Sequence, residues 1–324
     1  MFQRLIKNDL KENKISMLVI GLFLLLTLTL SFAATRLTVS LSNSIERFVE
    51  TAKSPHLLQM HSGSIDRERL KNFVQQHPEI ASWQLTDFVN VEGSAIRINE
   101  KDSLQDSSQD NGFSNQNQHF DFLLDQNNQP AQPRPGQVYI PLYYYNSGKI
   151  KIGDKIRVGK LELTVKGFIR DAQMNAGLVS SKRFLISQTD LQTLKKEAFA
   201  SNENLIAFRV HKLSQISTIE QAYKNAELES NGPPMITYPT IKMINGFNDA
   251  LVILIMGLLV VAIIGITFLC MRFALLTKIQ EELQQIAVMK VMGLPQSFIS
   301  RVYLTKYYFC LALATIIGWG LSFL

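Results

Sequence analysis

The chain has 324 residues, 19% of them charged, and a formal net charge of +6. Its apolar residues are gathered into three blocks, and much of the short-loop basic charge flanks them, so the positive balance reads as membrane topology. No stripe of Lys and Arg interleaved with aromatics appears, which argues against a nucleic-acid partner.

Residues 1–14 put Phe2, Leu5, Ile6 and Leu10 on one helical face beside Arg4, Lys7, Lys11 and Lys14. That pattern predicts a short amphipathic helix on the cytoplasmic membrane surface. Residues 15–34 carry no charge and are long enough for a first span. Ser31-Phe32-Ala33 offers small residues at cleavage-site spacing, but Leu37, Leu41, Ile45 and Phe48 keep helical period beyond it. A span continuing into a stalk helix over 35–54 accounts for that register, and a secretory signal does not.

Residues 55–248 form a polar region long enough for its own core. Periodicity predicts a strand at 56–60, a helix at 66–76 and strand-like sequence at 83–98. A second such set follows, with a strand at 205–211, a helix at 214–229 and a strand at 235–241. Two β-α-β halves imply a ferredoxin-like layer split by an insertion. The insertion opens with 99–136, rich in Gln, Asn, Ser and Asp, which reads as a flexible linker anchored at most by 120–124. A β-rich subdomain over 137–200 follows, with strands at 138–142, 155–158, 161–169 and 177–180 and a helix near 189–196. The expected fold class is an α-helical membrane protein with an α+β extracytoplasmic domain.

Residues 249–271 predict a second span and 303–324 a third. Between them, 272–302 forms a charged, non-spanning segment with a break at Gly293-Leu294-Pro295. Ile279, Leu283, Ile286 and Lys290 share one helical face, and Glu282 and Gln285 lie on another. Gly257, Val261 and Gly265 recur every four residues, as do Ala314, Gly318 and Ser322. Such small-residue faces admit close helix packing, within the chain or across a dimer seam.

Little here suggests catalysis. The two cysteines, Cys270 and Cys310, lie in apolar blocks, so no disulfide framework or cysteine-based zinc site holds the polar region. His56, His61, His77, His119 and His211 are scattered without acids at metal spacing. There is no phosphate-cradling loop ending in Gly-Lys-Ser/Thr and no nucleophile elbow. The expectation is no enzyme, no metal and no cofactor bound by this chain.

Two blocks resemble the FtsX-like permease family, in its MacB-type branch that works with ABC ATPases. One comprises Gly136-Gln-Val-Tyr-Ile-Pro141, Ile150-Lys-Ile-Gly-Asp-Lys-Ile-Arg-Val158 and Leu161-Glu-Leu-Thr-Val-Lys-Gly-Phe-Ile-Arg-Asp171. It is similar to the family's periplasmic core domain. The other, Ile286-Ala-Val-Met-Lys-Val-Met-Gly293, is similar to the segment after the family's second span. The order of span, large domain, span, cytoplasmic helix and span is also the family's.

The resemblance implies a multi-pass protein of the bacterial plasma membrane, with a cytoplasmic N-terminus and residues 35–248 extracytoplasmic. It implies a partner ABC ATPase, which binds the ATP and docks on Ile279, Glu281, Glu282, Leu283, Ile286, Lys290 and Gly293. The transported substrate would be a peptide, lipid-linked or amphiphilic molecule. The alternative is a mechanotransmitter that activates a cell-wall hydrolase, with Phe113, Phe120, Phe122 and Tyr143 to Tyr145 as partner contacts. A two-span sensor receptor is disfavoured by the third span and the Ile286–Gly293 motif. Membrane lipid and a homodimer or second permease half complete the expected partners. Gln285 stands where the family often has an acid, and Pro295 where Ser or Thr often follows the glycine. The family's four spans against three here imply a truncated or half-length member.

Overall fold

In the computed structural model, the described residues are 14–177, 179–281, 283–293 and 295–323. The amphipathic helix expected over 1–14 therefore lies outside them, apart from Lys14, and so does Glu282. The chain divides into two units, one of Ser44–Phe247 and one of Met1–Asn43 with Asn248–Leu324.

Helix α1 runs over Lys14–Thr51, so the expected span and stalk form one element of 38 residues. It ends where Lys53 turns left-handed (φ 44°) and the Ser54 amide donates back to the Val49 carbonyl (3.0 Å).

The Ser44–Phe247 unit holds strands β1 (Leu57–Ser62), β2 (Ile80–Val91), β3 (Ile96–Ile98), β4 (Asp102–Ser103), β5 (Asp110–Ser114) and β6 (Gln137–Pro141). It continues with β7 (Lys155–Val158), β8 (Leu161–Ile169), β9 (Ser181–Ile186), β10 (Ser201–Val210) and β11 (Ile236–Thr237). Its helices are α2 (Arg67–Gln76), α3 (Leu142–Asn146), α4 (Gln188–Leu194) and α5 (Ile216–Asn225). The strands form one mixed sheet in the order β11-β1-β10-β2-β5-β9-β6-β8-β7-β3-β4. Its first four members are antiparallel neighbours, while β5 pairs β9 and β6 pairs β8 in parallel.

Helix α2 starts where the Asp66 side chain accepts the Arg69 amide (3.0 Å), which satisfies one of the free donors of the first turn. Leu70 and Phe73, one turn apart, face the sheet with Ile219 and Tyr223 of α5 against Leu57, Ile206 and Phe208. A second core joins Val89, Phe113, Val138, Ile140, Ile156, Leu163, Phe184 and Leu191 in the β-rich half.

Three expectations are corrected. Residues 99–136 do not form a linker that runs free of the fold. They supply β4 and β5, and β5 bridges the halves by pairing β2 through Val89↔Phe113 and β9 through Phe113↔Phe184. Phe120, Leu123 and Leu124 are buried. The polar composition is accommodated where its side chains replace solvent with protein partners, some local and some distant in sequence. Asn111 accepts from the Tyr144 hydroxyl (2.5 Å), and Asp125 caps the amides of Asn127 (2.8 Å) and Gln129 (3.0 Å). The strand expected over 235–241 shrinks to Ile236–Thr237 because a helix starts at Tyr238. Pro239 falls in its first turn, where a missing N–H breaks no helical bond. The strand expected over 177–180 is displaced to β9.

Helix α6 runs over Tyr238–Glu281, 44 residues; α7 covers Leu283–Val291 and α8 Gln296–Leu321. By length and composition, Leu18–Thr51 and α6 could each cross a membrane; Tyr307–Leu321 within α8 is a shorter apolar stretch.

Candidate coupling site and helix roots

The motif-bearing segment is built by α7 and the turn after it. Gly293 adopts φ +79°, a conformation that a Cβ strains, and its amide donates to the Lys290 carbonyl (3.0 Å) while Met292 donates to Val288 (3.0 Å). Pro295 is the N-cap of α8, in extended conformation. Ile279, Glu281, Leu283 and Lys290 are exposed, as are Val288, Val291 and Met292, and Ile286 is half-buried. Val291 is 88% exposed, so among the described residues the apolar side chains of the segment are largely uncovered.

The small-residue positions divide. Ala314 is buried beside Ile20, Leu24 and Tyr307. A Cβ at Gly318 would come within 3.2 Å of the Thr29 amide nitrogen and hydroxyl, so α8 approaches α1 closely there. Among the described residues, nothing lies within 4 Å of where a Cβ on Gly257 or Gly265 would be. A Thr27–Thr267 hydroxyl bond (2.8 Å) ties α1 to α6 nearby.

In the Ser44–Phe247 unit, the end of α1 and the start of α6 meet. Lys242 pairs with Glu46 (3.0 Å), and Val49, Ala52 and Ile241 share a cluster with Leu124 and Ala172. Two loops reach these roots. From the first, the amides of Asp121 and Phe122 donate to the Lys53 (2.9 Å) and Ala52 (2.7 Å) carbonyls. From the second, the Ala172 carbonyl accepts Asn245 Nδ2 (2.5 Å), and the Arg170 guanidinium lies 5.3 Å from the Phe48 ring centroid. The loops pair through Leu124 and Arg170.

Between the loops sits Arg183 of β9, its side chain fully buried. Its Nε and Nη2 form a fork on Asp171 Oδ2 (2.7 Å) and Oδ1 (2.9 Å), and its Nη1 donates to Asp121 Oδ2 (3.0 Å). Gln173 completes the ring by accepting Arg183 Nη2 (3.3 Å) and donating to Asp121. Burial pushes the Asp121 carboxyl upward, reinforced by the Asp171 charge and opposed by Arg183. At Asp171 burial acts in the same sense, but the Arg183 charge and fork, with the Gln173 and Met174 amides, outweigh it and hold the carboxyl below its ordinary range. The neighbouring Lys182 amine is lowered to about 8 by burial, with Asp171 opposing, and donates to the Ala176 carbonyl (3.1 Å).

Sequence reading passed over these groups because Asp121 lies 62 residues from Arg183. The one signal was an Arg-Asp pair, Arg170-Asp171, at the end of a family-like block. The aromatic residues considered as partner contacts are mostly core: Phe113, Phe120 and Tyr144 are buried, Phe122 and Tyr143 are half-buried, and only Tyr145 is exposed, stacked on Phe168 (4.6 Å). His61 Nδ1 accepts the Asn231 amide (3.0 Å) and His77 Nδ1 sits 2.8 Å from the Phe73 carbonyl. Among the described residues no group of three His, Cys, Asp or Glu could hold a metal ion.

Three solved structures are similar to part of the chain. The periplasmic region of MacB from Actinobacillus actinomycetemcomitans has 10% identity and a TM-score of 0.32, over 62% of this chain and 96% of that one. The extracellular domain of the noncanonic ABC-type transporter YknZ from Gram-positive bacteria has 11% identity and a TM-score of 0.30, over 56% and 98%. A domain of a putative permease protein from Porphyromonas gingivalis has 12% identity and a TM-score of 0.29, over 54% and 85%. No curated protein matches the chain. The family model for the FtsX-like permease C-terminal domain matches residues 237–324, a stretch that contains α6, the exposed segment and α8. Residues 237–324 of this chain are thus similar to the C-terminal domain of FtsX-like permeases.

Proposed function

We propose that this protein is the permease subunit of an ABC-type system, in which a separate ATPase docks on the 272–302 segment and drives export or extraction of a peptide, lipid-linked or amphiphilic substrate. The observation that carries the reading is the family match over 237–324, which includes an α7 segment whose apolar side chains are largely exposed among the described residues. Ile279, Leu283 and Ile286 fill a groove on the ATPase, while Glu281, Glu282 and Lys290 set the register. ATP is bound by the partner, since the chain has no phosphate loop of its own. Helix α8 serves as the third span, and residues 35–248 face the outside. The β11-β1-β10-β2 order with α2 and α5 on one face supports a ferredoxin-like layer at the base of that domain.

Co-purification with an ATPase encoded beside this reading frame tests the proposal. Ile286→Glu combined with Gly293→Val is expected to reduce ATPase recovery about tenfold or more and to abolish stimulated turnover. Unchanged complex formation and turnover in that double variant would overturn it. Activation of a wall hydrolase by ATP without substrate movement would replace transport with mechanotransmission.

A further inference from the structure

The helix roots are attached to the sheet twice. One attachment is the chain itself: α1 leads into β1, α6 follows β11, and the Tyr238 amide donates to the His56 carbonyl (2.9 Å). This route reaches only the β11-β1-β10-β2 edge. The second runs through the two loops to the β-rich half, and there one side chain joins everything. Asp121 holds Lys53, just past the end of α1, with its backbone amide and Arg183 with its carboxylate. Asp171 holds Arg183 with both oxygens, and its neighbour Ala172 holds Asn245 of α6. Asp121 keeps a left-handed backbone (φ 58°), a conformation that persists only where its surroundings enforce it.

We propose that Arg183 is a positioning residue, a clasp that fixes the roots of α1 and α6 to β9 and so passes helix movement into the β-rich half. The role in transmission rests on the permease reading above; the clasp itself does not. A buried ion cluster is poor evidence for net stability, because desolvation offsets much of the attraction. What this one supplies is geometry: a planar fork accepts two carboxylates at fixed angles, which an ammonium cannot reproduce.

Hydrogen exchange on the full chain in lipid nanodiscs tests the clasp. Arg183→Met should speed exchange at the Asp121 and Phe122 amides about tenfold or more, while amides in β1 and β10 stay within about twofold. Arg183→Lys should restore part of the protection. If Arg183→Met does not fold, Asp121→Asn leaves the Arg183–Asp171 fork balanced. It should free the 121–122 amides alone and keep those of Gln173 and Met174 protected. Unchanged exchange at 121–122, or equal acceleration across the sheet, would overturn the proposal.

A second arm adds MgATP to the chain with its co-purified ATPase. The clasp predicts a nucleotide-dependent change in β6–β9 in the wild type that Arg183→Met abolishes. Its persistence in the variant would refute transmission through Arg183. No change even in the wild type would instead refute the permease reading and leave the exchange result standing.

Discussion

His56 shows how a single buried ring makes the root region sensitive to acid. Its Nδ1 accepts the Val210 amide (2.9 Å), which requires that nitrogen to be unprotonated, and its edge meets the Tyr238 ring (5.4 Å). Burial first, and then the Arg209 charge, lower its pKa from 6.5 to about 4. A folded pKa below the unfolded one means that the folded state resists protonation. The contribution is complete above about pH 6.5 and is lost as pH falls toward about 4. At about 1.4 kcal/mol per unit, the loss is on the order of 1–3 kcal/mol. Thermal unfolding of the full chain from pH 7 to 4 should therefore fall more steeply for the wild type than for His56→Asn, and parallel curves would refute the assignment. Gly112 makes a steric case of the same kind. A Cβ there would lie 1.8 Å from Phe88 Cζ. Gly112→Ala is expected to cost about 2–3 kcal/mol, and adding Phe88→Leu should recover part of it, as a double-mutant cycle can measure.

At the scale of elements, the two glycine pairs separate packing from open surface. Gly318→Leu drives a side chain into Thr29 and Leu28 and should cost about 2 kcal/mol of stability in detergent. Gly257→Leu and Gly265→Leu meet nothing among the described residues and should stay within about 0.5 kcal/mol. A loss of dimer with no loss of monomer stability in those two would mark a seam. The same elements show what the sequence could reveal. Helices α2 and α5 were legible because Leu70 and Phe73, or Ile216, Ile219 and Tyr223, keep a helical period. Pro239 hid the start of α6 because the residues around it alternate like a strand. Residues 99–136 were misread because burial there falls also on polar groups such as Asn111 and Asp121, whose place depends on the distant partners Tyr144 and Arg183 and not on hydropathy. The 272–302 segment carried its own local motif. The Arg183 cluster could not, since its acids come from loops 12 and 62 residues away.

For the whole molecule, the division at Ser44–Phe247 has a consequence for folding. That unit holds several internal cores, an eleven-stranded sheet and the Arg183 cluster, and both cysteines of the chain lie outside it. Its stability rests on noncovalent interactions, without disulfide cross-links. A fragment of residues 44–247 is expected to fold without lipid, to unfold cooperatively, and to show the same midpoint with or without reductant. The ends of α1 and α6 retained in it should stay helical, because Val49, Ala52 and Ile241 are buried within the unit. The remaining helices differ in kind: α6 exposes Leu254, Ile255, Leu258 and Val261, each at least half accessible, which only an apolar solvent or a partner can accommodate. The full chain should therefore sediment with membranes and require detergent for extraction. A fragment that aggregates, or that binds dyes specific for exposed apolar surface, would show that the sheet unit depends on those helices for its fold.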